Sequence, residues 1–289
     1  MHDNLRPLVS CLILNWNRKI ETARCIDSVK RQTYNNLEII IVDNGSDDGS
    51  VQFLKDKYPN IPLIELAQNF GCPGGRNRGL EYCNGEYIFH VDNDGVLHEK
   101  AIENAIRLIT RDDDIAILTG LVMDFDDPEQ IVSNLIIDDP KQSITNLFQG
   151  GISMHRKSIY DLVSKYPDDY MYGGEETFLS LKLLDFGFKI MKSNQVILWH
   201  KKSEFARHNG IETIRKWSNS LVNAYQLYPS LKFLQFFVYY HCVYPFYALR
   251  AGYFKLFFKN LFETYSRLRN YSRDPIKTAT YYKFKCLEP

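Results

Sequence analysis

Short apolar runs alternate with helix-like stretches through the first ninety residues. Leu8 to Leu14, apolar apart from Ser10 and Cys11, predicts a buried strand. Residues 19–32 then carry helical spacing, with Ala23, Ile26 and Val29 on one face. Leu37 to Val42 predicts a second strand, and residues 43–50 form a polar turn leading into a helix over Val51 to Tyr58. Ile61 to Leu66 predicts a third strand. Asn69 to Gly75 is glycine-rich, Arg76 to Asn84 helical, and Tyr87 to Val91 a fourth strand. Further on, the pattern predicts a helix over 99–110, a strand over Ile115 to Leu121 and an acidic mobile loop over 124–145. Then come a strand over Phe148 to His155, a short helix over Ser158 to Lys165, a helix over Glu175 to Phe186 closed by Gly187, and a strand over Lys189 to Trp199. Strands alternating with helices argue for a mostly parallel α/β sheet flanked by helices.

From residue 212 onward the pattern is helical and aromatic. Phe233 to Phe254 is long and apolar, but Gln235, His241, Pro245 and Arg250 interrupt it. It reads either as helices lying in a membrane interface or as a helical unit packed on the core or on a second subunit; a spanning helix fits less well. We therefore expect a domain over residues 1–210 and a helical region over 211–289.

The chain has 289 residues, of which 45% are hydrophobic, enough for a sizeable core. Its formal charge is zero, but residues 231–289 hold 10 Lys/Arg against 3 Asp/Glu. A basic tail on an acidic body suggests an anionic membrane surface as a partner and gives no footing for nucleic acid. Six scattered cysteines without a CxxC pair, and a start lacking an apolar signal core, suggest a cytoplasmic protein, peripheral on the inner face of the membrane if the tail binds lipid. GxGxxG is missing after the first strand and GxxxxGK[ST] is missing throughout, which disfavours dinucleotide and P-loop chemistry.

The fourth strand ends in Asp92-Asn93-Asp94-Gly95. Paired carboxylates at a strand's carboxyl end suit a divalent cation and a phosphate-bearing substrate; the same residues are also good turn formers. Asp43, ending the second strand, is either an acceptor for a ligand or a helix cap. Trp16 is either a stacking face or a core aromatic.

Taken together, Asn15-Trp16-Asn17-Arg18, Asp43-Asn44-Gly45-Ser46, Asn69-Phe70-Gly71 through Gly75-Arg76-Asn77, Asp92-Asn93-Asp94, Gly174-Glu175-Glu176 and Trp199-His200 occur in an order that resembles an inverting family 2 glycosyltransferase of the GT-A fold. The likeness covers about residues 8–205. It implies a nucleotide-sugar donor, UDP- or dTDP-linked, held by Asn15, Trp16, Asn17, Asp43, Asn44, Gly71, Arg76, Asn77, Asp92 and Asn93. It implies Mn2+ or Mg2+ on Asp94 and His200, with Asp92 on the ribose or the metal. Glu176, or its neighbour Glu175, takes the place of the general base, and Gly150, Gly151 and Trp199 border a carbohydrate or lipid-linked acceptor. The chain departs from the family pattern near the base: Glu176 stands for an aspartate, Phe178 for an acid and Lys182 for an arginine. A sugar-phosphate nucleotidyltransferase and a non-catalytic nucleotide-sugar-binding or membrane scaffold protein are the alternatives, and a homo-oligomer is compatible with the tail.

Overall fold

A computed structural model describes residues 6–124, 139–200 and 209–289. The strands are β1 (Val9–Asn15), β2 (Leu37–Asp43), β3 (Leu63–Glu65), β4 (Tyr87–Asp92), β5 (Gly95–Leu97), β6 (Ile115–Asp124), β7 (Gln142–Thr145), β8 (Ile152–Arg156) and β9 (Lys189–His200). The helices are α1 (Lys19–Lys30), α2 (Ser50–Lys57), α3 (Gly71–Leu80), α4 (Ala101–Ile109), α5 (Ile159–Leu162), α6 (Glu175–Phe186), α7 (Asn209–Leu227), α8 (Ser230–Arg250), α9 (Phe254–Leu268) and α10 (Thr278–Cys286).

The strands form one sheet in the order β3-β2-β1-β4-β8-β6-β9-β5, with β7 also on β9. Strands β3, β2, β1 and β4 are parallel, β6 and β9 share their direction, and β5, β7 and β8 run the other way. The apolar runs have no polar face because helices cover both sides of the sheet. Val9, Cys11 and Ile13 of β1 pack with Ile26 of α1, Leu54 of α2 and Ile102 of α4. Leu12, turned the other way, packs with Leu80 of α3 and with Leu179 and Leu183 of α6.

Parallel register brings polar strand ends to one edge. Asn15 pairs with Asp43, and Asp92 lies beside Leu14 one step inward. This is the edge at which open α/β sheets collect ligands.

Several boundaries differ from the sequence reading. The third helix begins at Gly71, inside the stretch read as a glycine-rich loop. Its glycines let it lie close on the sheet, since a Cβ on Gly75 would meet Leu14 at 2.6 Å and one on Gly79 would meet Leu12 at 2.5 Å. Gly95–Leu97 was not foreseen as a strand; it pairs with the end of β9. Of the loop expected over 124–145, residues 142–145 form β7 and residues 125–138 lie outside the described residues.

The helical region shares a core with the sheet layer. Phe178, Leu181 and Leu184 of α6 cluster with Ala224 and Leu227 of α7 and Phe284 of α10. Phe178, in the place of the family's acid, is therefore a core residue, and Lys182 reaches Asp274 at 2.7 Å. Among the described residues no helix is long and apolar enough to cross a membrane.

One position tests the sheet's packing. A Cβ on Gly120 would lie 2.2 Å from the carbonyl oxygen of Val196, in the irregular part of the β6–β9 pairing. Gly120→Ala is expected to lower stability by about 1–3 kcal/mol, read from urea unfolding of the full chain.

Candidate active site

Two groups of polar residues meet at the carboxyl edge. The first is built on β1 and β2. Asn15 Nδ2 donates to Asp43 Oδ2 at 2.7 Å, and the Ser46 N–H donates to Asp43 Oδ1 at 2.8 Å. Asn15 Oδ1 accepts from Thr22 at 2.7 Å, and Asn93 Nδ2 lies 3.1 Å from Thr22 Oγ1. Asp43 is thus buried and fixed, and it does not cap α2, because Asp48 accepts from the Ser50 N–H at 2.9 Å instead. Trp16 is 52% exposed, so it is no core aromatic. Asn17 clasps Asp47, donating to its carboxylate at 2.8 Å and accepting from its N–H at 2.9 Å. Asn44 holds the next loop, donating to the Gly71 carbonyl at 3.0 Å and accepting from the Phe70 N–H at 3.0 Å.

The second group surrounds a cleft of about 580 Å³, a volume suited to a small-molecule site. Arg76, Asp92, Gly150, Gly151, Glu175, Glu176 and His200 line it, together with Lys216. Arg76 is 4% exposed and donates to Asp92 Oδ1 at 3.1 Å. The two glycines make room for these charges. A Cβ on Gly151 would lie 1.9 Å from Asp92 Oδ2; one on Gly150 would lie 2.6 Å from Arg76 Nη1 and 2.9 Å from Glu176 Oε1. Beside Arg76 a buried chain runs from His90 Nε2 through the Tyr160 hydroxyl (2.7 Å) and His155 Nδ1 (2.8 Å) to Ser153 (2.8 Å). Burial keeps both imidazoles neutral.

Asp94 joins the two groups. One oxygen lies 2.9 Å from His200 Nε2 and the other accepts from Arg18. Loss of water pushes both aspartates upward, Asp94 as a largely buried group and Asp92 at the cleft wall, where its side chain keeps 45% exposure. Asp92 ends above the ordinary range despite Arg76, whereas the hydrogen bond and charge of His200, with Arg18, hold Asp94 below it. Among the described residues no three His, Cys, Asp or Glu side chains cluster closely enough to hold a metal by themselves. Asp94 and His200 offer a partial donor set, the kind Mg2+ or Mn2+ uses when substrate phosphates complete its shell. Arg18 would have to release or share its oxygen of Asp94.

The carboxylates of α6 stand at the other wall. Glu175 is 3% exposed and its Oε2 has no hydrogen-bond partner. Burial first, and the Glu176 charge second, raise its pKa well above that of an ordinary carboxyl. Burial raises Glu176 too, opposed in part by Arg76.

Not every expected residue reaches this site. Trp199, expected on the acceptor side, is 1% exposed and packs against His98, because strand alternation turns it away from the face that His200 presents. The Asn77 amide is directed to Tyr166, donating at 2.9 Å and accepting at 3.2 Å. Two contributors were not foreseen. Arg18 had no assigned role, and Lys216 comes from α7, with no local motif to mark it. The same helix clamps the acid loop: Asn219 donates to the Gly173 carbonyl at 2.7 Å and Asn223 to that of Gly174 at 2.8 Å.

Comparison with known proteins gives the wider setting. The model of glycosyl transferase family 2 matches residues 10–165. Chondroitin synthase of Escherichia coli is 30% identical over 130 residues, 44% of this chain and 19% of that protein. The chain spans between 19% and 38% of the length of three curated relatives that it matches. Among solved structures, the mannosyltransferase PcManGT of Pyrobaculum calidifontis, in complex with GDP-Man and Mn2+, superposes with a TM-score of 0.61 at 15% identity. The match covers 98% of this chain and 84% of that one. Residues 1–349 of S. aureus TarS, in complex with UDP-GlcNAc, give a TM-score of 0.57 at 16% identity, covering 75% and 66%. The fold is that of these GT-A enzymes.

The raised Glu175 carboxyl gives a prediction about stability. Its folded pKa lies above its unfolded value of 4.5, so the folded chain binds the extra proton. That contribution is full below the unfolded pKa and is lost as pH rises through the folded pKa. Glu175→Gln is therefore expected to gain thermal stability relative to the native chain at pH 9 compared with pH 5, as read from Tm at the two pH values.

Proposed function

We propose that this chain, which belongs to glycosyl transferase family 2, moves a sugar from a nucleoside diphosphate donor to an acceptor hydroxyl with inversion at the anomeric carbon. One observation carries the reading: the Asp92–Arg76 pair, His200 on Asp94, and Glu176 open on a single cleft beside Gly150 and Gly151.

On the donor side, Asp43 already accepts two hydrogen bonds, which leaves lone pairs for a base N–H. A uracil or thymine base fits that acceptor, with the exposed face of Trp16 beside it. Arg76 and Lys216 supply positive charge for the phosphates. Asp94 and His200 would hold Mn2+ or Mg2+, with Asp92 on the ribose or the metal. The bound cation would supply charge neutralisation for the departing diphosphate.

Glu176 takes the proton of the acceptor hydroxyl as that oxygen attacks from the face opposite the diphosphate. The bond from the anomeric carbon to the diphosphate breaks in the same displacement, so no glycosyl–enzyme bond forms. A carboxyl raised by burial is a better base than an ordinary one. Glu175, more deeply buried, is also raised, by burial first and then by the Glu176 charge, so the two neighbours do not readily ionise together. The chondroitin synthase likeness supports a carbohydrate acceptor, as in polysaccharide or glycolipid assembly.

The test combines binding and turnover. UDP-, dTDP- and GDP-sugars screened with Mn2+ are expected to yield one donor that raises Tm. Glu176→Gln is expected to lower kcat about 10²–10⁴-fold while donor affinity holds. Asp94→Ala is expected to lose Mn2+ binding in calorimetric titrations with nucleoside diphosphate present. Full donor turnover by Asp94→Ala in chelator would refute the metal assignment, and loss of donor binding in Glu176→Gln would refute the base.

A further inference from the structure

Of the 21 large hydrophobic side chains that are exposed among the described residues, 11 fall between Leu231 and Tyr265. Their arrangement is regular. On α8, Leu231, Leu234, Val238, Phe246 and Leu249, each more than half exposed, follow three- and four-residue steps, with the exposed Cys242 completing the row. On α9, Phe254, Phe258, Phe262 and Tyr265 repeat at four, four and three residues and form one stripe. The opposite faces are spoken for. Tyr240 and Ala248 of α8 pack with Phe257 and Leu261 of α9 and with Ile214 and Leu221 of α7. A soluble surface helix is polar on its outer face; α8 is largely apolar there, and on α9 an aromatic row shares that face with Lys255, Lys259 and Glu263.

The charge on this surface is one-sided. Between residues 230 and 268 the sequence has Lys232, Arg250, Lys255, Lys259 and Arg267 against Glu263 alone. Arg267 is committed to Asp169 at 3.0 Å. On α9 the two lysines directly follow Phe254 and Phe258, so the cationic row borders the aromatic one.

From this pattern we propose that the outer face of α8 and α9 docks on an anionic lipid surface, with the aromatic rows entering the headgroup layer and the basic residues meeting lipid phosphates. Aromatic side chains with adjoining lysines are the composition of helices that lie in a bilayer interface. A second copy of the chain fits this face poorly. A two-fold contact sets a patch against itself, and here it would oppose cation to cation with Glu263 as the one offset. Cores of protein interfaces are also depleted in lysine. The proposal is independent of the sugar-transfer reading.

The experiment is co-sedimentation of the full chain with vesicles of phosphatidylcholine alone or mixed with phosphatidylserine, with oligomeric state followed by analytical ultracentrifugation. The chain is expected to bind phosphatidylserine vesicles at least about 10-fold more tightly than neutral ones, and to lose that margin at high salt. K255E/K259E is expected to remove the preference for anionic lipid. F258S/F262S is expected to remove binding to both vesicle types. All four side chains are exposed, and unchanged circular dichroism and Tm would verify the fold. No binding by the native chain, equal binding to both vesicle types, or a stable dimer that F258S/F262S dissociates would each overturn the proposal.

Discussion

Setting a carboxylate against the edge of a sheet needs room and an opposing charge. Gly151 supplies the room and Arg76 the charge for Asp92. The rest of the cleft follows from that junction. Arg76 is held at the sheet because the glycines of α3 let the helix settle onto Leu12 and Leu14. Gly150 leaves the same guanidinium open to Glu176 across the cleft. A side chain larger than hydrogen at either glycine would push apart the groups that the cleft brings together.

The electrostatics divide the site in two. At Asp94, in the turn after β4, the cations outweigh burial, and the carboxyl is held below the ordinary range between His200 and Arg18. At the wall built on α6, burial outweighs nearby cations, and two adjacent glutamates cannot both carry charge cheaply. Two kinds of carboxyl thus stand at the two sides of the site, one held ionised by cations and one raised toward its protonated form by burial. Separated protonation of this kind is how neighbouring acids come to do different work.

Much of this was legible in the chain. The apolar runs located β1, β2 and β4, and parallel register then dictated that Asn15, Asp43 and Asp92 share an edge. Other features were not legible, for physical reasons. The start of α3 was hidden because glycine has low helix propensity, and close packing on the sheet overrides it. Trp199 and His200 are adjacent in sequence, so a motif reading could not say which one the strand turns toward the cleft. Lys216, Asn219 and Asn223 lie on a helix some forty residues beyond Glu176, and only tertiary contact joins them to the site. Phe178 looked like a lost acid; its burial against α7 and α10 gives it a packing role.

That contact with α7 has a practical consequence. The carbonyls of Gly173 and Gly174 are grasped by Asn219 and Asn223, and Arg267 of α9 in turn reaches both Asn219 and Asp169. The greasy C-terminal third is therefore also the scaffolding behind the acid loop. Trimming it to make the protein easier to handle would remove the brace as well as the apolar surface, and grafting another terminus onto this sheet would have to rebuild that grip on the loop.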